Sequence, residues 1–333
     1  MRQIKKLTAG KLEHKLLKQL IAELPQDDRN IIVPPGIGMD AAGLKIGKKL
    51  IAITTDPITF CATNITTYSV AVNINDVVCL GCKPRWYLAC LLLPVGTTRK
   101  QVIDIYRKLT YELQRYNIKA IGGHTEVTST VTTPIIVGQL IGEAIGTELL
   151  SAQNGRPGDQ IFLWRNVAIE GTALLATTKQ KILQQYFPLK KIRAMQRLLY
   201  DPGICVWPLV KKLVPCQGLV ALHDITEGGI ATALHELADA SKLGVEVSEI
   251  PIRKETQELV KIFKFNPLGL LASGSLLILC RPTASKRIIQ KMGTQDLTLI
   301  GELTKNTTRS LVLNGKTTKL PRFATDEIIQ NIT

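Results

Sequence analysis

The stretch "IIVPPGIGMDAAGL", Ile31 to Leu44, sets three glycines, two prolines and one acidic residue, Asp40, between two apolar runs. Such a segment either turns the chain between two strands or brings bare backbone close to a phosphate, because glycine has no side chain to keep a ligand away. It does not have the form of the two common nucleotide loops. G-x-x-x-x-G-K-[ST] is absent, and G-x-G-x-x-G fails because position 41 is alanine, Gly43 is out of register and no strand-helix-strand unit surrounds the stretch. A P-loop or Rossmann domain is therefore excluded, and the fold must be read from what flanks the segment.

Downstream, strand and helix patterns alternate. "KLIAITTD" reads as a buried strand and "TTYSVAVNINDVVCLG" as a helix presenting Val70, Ile74, Val77 and Val78 inward. In "RKQVIDIYRKLTYELQRYN" the apolar positions 102, 106, 109, 113 and 116 form one helical stripe. "IKAIGG" and "PIIVGQLIGEAIG" read as strands. "SAQNGRPGDQ", Ser151 to Gln160, concentrates turn-forming residues and places a domain boundary, giving units of 1–150 and 151–333. The second unit mixes helices near 168–178, 181–200 and 229–242 with strands at "GLVALHD", "GVEVSEI", "SGSLLILC", "LTLIGEL" and "RSLVLN". Two α+β domains in tandem is the resulting fold class.

Across 333 residues, 45% hydrophobic and 21% charged side chains describe an ordinary globular chain, and 5% aromatics argue against a stacking platform for single-stranded nucleic acid. No apolar run is long enough to span a membrane, and the N-terminus lacks a signal-peptide core, so a cytoplasmic location is expected. The seven cysteines are odd in number, irregularly spaced and mostly within apolar runs, as reduced buried thiols would be. "CLGC", Cys79 to Cys82, has half-site spacing without a second pair and is read as buried small residues. The net charge of +15 permits a polyanion partner, but no nucleic-acid motif accompanies it, and solvated helix faces are the preferred reading.

Chemistry concentrates in "GIGMDAA", "ITTDPI", "NINDVV" and "IGGHTEVT". Magnesium rests on one or two carboxylates plus substrate phosphates, which makes Asp40, Asp56 and Asp76 candidate ligands. Asp56 follows a strand, and Asp76 interrupts a helix face that packing alone would fill with Val or Ile. "GGHTE" offers Gly122 and Gly123 for phosphate approach, with His124 and Glu126 projecting toward the same cleft; a strand-end turn with a capped histidine is the alternative. "HDITEGGIATALHELADAS" sets Gly228 and Gly229 before a helix, where backbone N–H groups could receive an anion or simply begin the helix. His235 in that helix reads as a buried structural histidine.

Taken in order, "PGIGMDAA", "TTDPI", "NINDVVCLGCKPRW", "GGHTEV", "PGDQIFL", "HDITEGGIATALHELADAS" and "PLGLLASGSLLI" resemble the aminoimidazole ribonucleotide (AIR) synthetase superfamily over nearly the whole chain. In layout the chain is similar to the hydrogenase-maturation carbamoyl dehydratases within it. The resemblance implies an N-terminal sheet that pairs across a homodimer into a barrel, and a C-terminal α/β sandwich domain against it. It implies ATP and Mg2+ as cofactors, held near Asp40, Asp56 and Asp76, with Gly36, Gly38, Asn75, Gly122, Gly123, Thr125, Gly228 and Gly229 around the nucleotide. Asp76, His124 and Glu126 would act in catalysis, while Asp224, Ser273 and Gly274 match family segments without an assigned role.

The implied activity is ATP-dependent phosphorylation of an amide or related oxygen on a small-molecule or protein-bound substrate. A small-molecule kinase resembling thiamine-monophosphate kinase and a non-catalytic nucleotide-binding maturation or scaffold protein are the alternatives. Departures from the family are specific. Met39 stands where many members have a second Asp, and His124 stands where they carry an acid, so His124 is read as a hydrogen-bond donor to phosphate. Arg165-Asn166 replaces a glycine-rich turn. The ending "EIIQNIT" offers no carrier cysteine, and no cysteine precedes Ile31, so self-modification at a cysteine tail is not expected.

Overall fold

The computed structural model describes residue 7 and residues 10–59, 63–248, 250–313 and 315–329. The first half runs α1 (His14–Ala22), β1 (Ile31–Val33), β2 (Ala42–Ile46), β3 (Lys49–Ile58), α2 (Ile65–Cys79), β4 (Cys82–Pro94), α3 (Arg99–Arg115), β5 (Lys119–Thr128) and β6 (Ile135–Ala144). Its strands form one sheet in the order β1-β2-β3-β6-β4-β5, antiparallel except for the parallel β4–β5 edge pair.

The second half runs β7 (Gln160–Trp164), α4 (Ile169–Thr178), α5 (Gln180–Leu183), α6 (Leu189–Arg197), α7 (Trp207–Leu213), β8 (Leu219–Asp224), α8 (Gly229–Ser241), β9 (Gly244–Val247), α9 (Lys254–Phe263), β10 (Leu276–Cys280), α10 (Ser285–Met292), β11 (Leu297–Thr304), β12 (Arg309–Leu313) and β13 (Lys316–Lys319). A second mixed sheet, β13-β12-β9-β11-β7-β10-β8, carries these helices. The chain passes from one sheet to the other between Ala144 and Gln160, across the turn-rich segment.

α2 decides the architecture. Val70, Ile74, Val77 and Val78 are fully buried as the periodicity predicts, but so are Asn73, Asn75 and Asp76. A helix buried all round must be covered on both sides. One side packs on β3, β4 and β6, and the other meets β8 and α7 of the second half. The apolar core is accordingly continuous across the seam, joining Ile74 and Val77 to Ile204, Val206 and Leu222. Close approach to the sheet requires Gly138, where a Cβ would fall 2.5 Å from Asn73 Nδ2.

Two elements differ from the sequence expectation. The helix expected over 181–200 is broken, because Pro188 has no N–H to continue α5 and instead precedes the first residue of α6. The strand at "IKAIGG" does not end at the glycines but continues through "HTEVT" to Thr128.

Candidate active site

The carboxylates converge where α2 lies between the two sheets. Asp56 on β3 is paired with Gly138 on β6 and so shares the sheet face that α2 covers. Asp76 points from α2 back toward that strand, and the Thr54 hydroxyl lies 2.6 Å from Asp76 Oδ2 and 2.8 Å from the Asp40 carbonyl oxygen, tying helix, strand and glycine loop together. Across the seam, β8 ends in His223 and Asp224, and Asp40 reaches them from the loop. Sequence reading placed Asp40, Asp56 and Asp76; the contribution of His223 and Asp224 is added by the fold.

These acids are crowded: Asp76 and Asp224 are buried, Asp56 is half-buried and Asp40 is exposed. Burial, the neighbouring Asp56, Asp224 and Asp40, and a hydrogen bond shared with Asp56 push the Asp76 carboxyl well up. Burial also raises Asp56, partly offset by its hydrogen bond to Asp76 and by Lys11. Asp224 is pushed up to about 7 by burial and the negative charge of Asp40 and Asp56, which His223 partly offsets. Like charges a few ångströms apart cannot all ionise without a counter-charge. One counter-charge is Lys11, whose ammonium is held protonated, against the effect of burial, by Asp40, Glu227, Glu236 and Asp56. Another is His223, which sits 3.0 Å from Glu236 Oε2; burial would lower its pKa, but Glu236, Asp40 and Asp224 hold it up at about 9.

A divalent cation fits this donor set. One carboxylate oxygen each from Asp40 and Asp224 lies within 4.8 Å of the other and of a His223 ring nitrogen, and the protonated ring is a counter-charge there rather than a ligand. Asp224 Oδ1 faces the Cys79 thiol at 3.7 Å, while its Oδ2 is buried and has no hydrogen-bond partner. A buried carboxylate oxygen left unpaired is costly, and a cation would satisfy it. Cys79 and Cys82 are themselves buried and reduced, with thiol pKa values raised by burial, so "CLGC" is packing, as expected.

Asp40 and Asp76 line two adjoining pockets. The smaller, about 60 Å³, contains Gly38, His223, Asp224 and Glu236. The larger, about 100 Å³, is lined also by Asp56, Glu170 and Ser273, with Tyr68, Leu174 and Leu271 among its apolar residues. Lys11, Glu170 and Glu227 were not picked out by the sequence reading. Glu170 looks like an ordinary first-turn acid of α4, and Lys11 is one lysine in a lysine-rich segment.

Other expected site residues lie elsewhere or are committed. His124 and Glu126 do not project toward this cleft within one protomer: they pair with Cys90 and Leu92 on β4, which pair with Val137 and Ile135, on the sheet face opposite to Asp56. They are exposed and contact each other at 3.2 Å. Gly122, Gly123 and Thr125 lie on the same edge strand; Thr125 meets the Tyr106 hydroxyl at 2.5 Å, and Gly123 is needed because a Cβ there would sit 2.2 Å from the Ala89 carbonyl oxygen. The strand simply runs on, and its pleat turns successive side chains to opposite faces.

Asn75 is a structural bridge, donating to the Ile204 carbonyl and accepting from the Val206 amide, both at 2.9 Å. Gly228 and Gly229 are not an open anion receptor: their amides donate to Asp326 Oδ2 at 2.7 Å and to the Thr226 carbonyl at 3.1 Å. Gly38, with φ +72°, packs against Glu236, and Gly36 against Met39. His235 is buried with Nε2 3.0 Å from the Pro321 carbonyl, the structural role expected of it.

Residues 38–144 match the N-terminal domain of AIR synthase related proteins, and residues 156–314 match their C-terminal domain. The chain is 25% identical over 279 residues to the carbamoyl dehydratase HypE of Rhodobacter capsulatus, covering 79% of this chain and 77% of that one. It is 28% identical over 298 residues to the thiamine-monophosphate kinase of Buchnera aphidicola, covering 84% and 85%. In three dimensions it superposes on the solved HypE–HypF complex with a TM-score of 0.76 at 20% identity, over 92% of this chain and 99% of that one. A HypE structure in complex with ATP gives 0.68 at 20% identity, over 94% and 96%.

Proposed function

The chain belongs to the AIR synthase related family, and from that premise we propose that it is an ATP- and Mg2+-dependent enzyme that phosphorylates an amide or related oxygen of its substrate. The observation that carries this reading is the convergence of Asp40, Asp56, Asp76 and Asp224 with an unpartnered oxygen among them. Phosphoryl transfer needs positioning and charge neutralisation more than a strong base. Bound Mg2+ would supply a Lewis acid at the phosphates, and Asp40, Asp56, Asp76 and Asp224 are the residues that would hold it. Thr54 fixes the rotamer of Asp76, Glu236 orients the His223 ring, and Lys11 brings a positive charge to the pocket that Asp40, Asp56 and Asp76 line.

Relatives named as a dehydratase and as a kinase both support ATP use. The kinase reading, in which the acceptor is a small-molecule oxygen and the phosphate is retained, is favoured by the thiamine-monophosphate kinase at 28% identity and stands second. A homodimer formed through the first sheet belongs to the same proposal. Among the described residues no helix is long and apolar enough to cross a membrane.

Calorimetric titration of ATP with Mg2+, with EDTA and with Asp76→Asn tests the reading. Binding should require the metal and weaken at least about tenfold, roughly 1.4 kcal/mol, in the variant. Metal-independent binding, unchanged in Asp76→Asn, would refute it, and tight binding without any hydrolysis would move the protein to the non-catalytic class.

A further inference from the structure

The smaller pocket sets sulfur beside its carboxylates. Cys79 is the last residue of α2, three positions after Asp76, so the two lie on one face of the helix. Both line the pocket of about 60 Å³ together with Asp40, His223 and Asp224, and Met39 brings a second sulfur-bearing side chain to it. Asp224 is only 1% exposed; its Oδ1 lies 3.7 Å from Cys79 Sγ, and its Oδ2 has no hydrogen-bond partner. The C-x-x-C spacing plays no part, since Cys82 opens β4 and its Sγ sits 4.0 Å from the Leu80 carbonyl instead. An S–H donor accounts for the thiol contact but leaves the other carboxylate oxygen bare, and buried oxygens are rarely left so. Tetrahedral zinc, about 2.3 Å from sulfur and about 2.1 Å from a carboxylate oxygen, sets those two ligand atoms roughly 3.6 Å apart. The Cys79–Asp224 contact has nearly that span. A third donor is at hand, because an Asp40 carboxylate oxygen lies within 4.8 Å of one on Asp224. Magnesium makes no use of sulfur, whereas thiolates select softer metals.

We propose that Cys79, Asp224 and Asp40 form a site for a thiophilic divalent cation of the Zn2+ and Co2+ class, sharing two carboxylates with the site read above for Mg2+. Cys79 binds as the thiolate: its S–H proton leaves to solvent as the metal–sulfur bond forms. The ion gives the buried Asp224 carboxylate the counter-charge that its unpartnered oxygen lacks, and it offsets the crowding of Asp40 and Asp76. Three protein ligands leave a fourth position for water or a phosphate oxygen. His223 stays with Glu236, 3.0 Å away, and is not counted among the ligands. The assignment rests on the reading of this acid cluster as a cation site.

The test titrates the full chain, reduced and stripped with EDTA, with Co2+, whose bond to a thiolate gives a near-ultraviolet charge-transfer band that oxygen ligands do not. The band should saturate at one equivalent per chain, and Zn2+ should bleach it by displacement. Cys79→Ser should lose the band and weaken Zn2+ binding at least about tenfold, read by competition with a chromophoric chelator. The Mg2+-induced rise in melting temperature should be retained in that variant. Cys79→Ala repeats the measurement should the serine variant not fold, and Cys90→Ser, which alters the half-buried thiol of β4, should keep the band. No band at saturating Co2+, a band that survives both Cys79 substitutions, or unchanged Zn2+ affinity in them overturns the proposal. The two readings fail separately. Mg2+-dependent ATP binding without a cobalt band removes this site and leaves the phosphorylating enzyme, whereas a Cys79-dependent band without any effect of Mg2+ or ATP does the reverse.

Discussion

Asp224 lies at the end of β8 with one oxygen against a thiol and the other without a partner, so ionising it in the metal-free protein costs stability. Its pKa of about 7 in the fold lies above the ordinary aspartate value of 3.8, which means that the folded state binds more protons than the unfolded one in that interval. Stability from this group is therefore lost as pH rises from about 4 to 7. His223, raised to about 9 from 6.5, contributes stability that is complete below 6.5 and lost as pH passes 9. Both effects have one sign: in EDTA the melting temperature should fall between pH 6 and 9, and Mg2+ should restore more of it at pH 8.5 than at pH 6. Asp224→Asn, which removes a buried unpaired charge, should stabilise the EDTA-treated protein at pH 8 by about 1–3 kcal/mol, or ~2–4 °C for each kcal/mol, while abolishing the response to Mg2+. Calorimetric melts of the two proteins across this range check it. At this scale the sequence was most informative where an acid meets an apolar run: Asp76 stands out as interrupting a helix face and Asp56 as following a strand, although β3 runs on through Asp56 to Ile58. Glu170 and Lys11 could not be picked out, because nothing local distinguishes them from solvated charges; only the fold brings α4 and the N-terminal segment to the pocket that α2 also lines.

Among elements, α2 ties the seam with a polar side chain beside its apolar contacts. Asn75 satisfies a carbonyl and an amide of the segment leading into α7, so Asn75→Ala would leave both buried and unpaired. A loss of ~2–4 kcal/mol is expected, measured by urea unfolding, without a change in metal affinity that is specific to the site. A nucleotide-binding asparagine would behave in the opposite way, losing ATP affinity at nearly unchanged stability. β5 carries the companion case. Gly123→Ala would drive a Cβ into the Ala89 carbonyl and should release the β5 edge, seen as accelerated amide exchange over residues 119–128 with the α2 core still protected. The helical stripes of α2 and α3 and the apolar strands were legible from period alone. What period could not supply was the run of β5 through Gly122 and Gly123, since paired glycines look like a terminator, or the direction of His124, which depends on strand pleat and register.

For the molecule as a whole, the first sheet has two unlike faces. One is covered by α2 and α3. The other aligns Ile53, Trp86, Leu88, Cys90, Leu92, Val137 and Ile141 in register across β3, β6 and β4, all only half-buried, beside the exposed edge strand β5. Contiguous apolar surface of this kind on a sheet, next to an open edge, is normally covered by a partner, and standard interfaces bury about 800 Å² on each side. A second copy of the chain, apposed through this face, would enclose His124 and Glu126 in the interface and leave the carboxylate cluster on the far side of the sheet. The wild-type protein should therefore sediment as a dimer at micromolar concentration. Val137→Asp, which sets two carboxylates near the centre of the apposed faces, should sediment as a monomer that still gains thermal stability from Mg2+, because Asp56 lies on the opposite sheet face, which α2 covers, and Asp76 is on α2 itself. A wild-type monomer would leave the apolar face unexplained by self-association. A Val137→Asp monomer that no longer responds to Mg2+ would mean that residues of the partner's sheet complete the metal site, which returns His124 and Glu126 to the chemistry from across the interface.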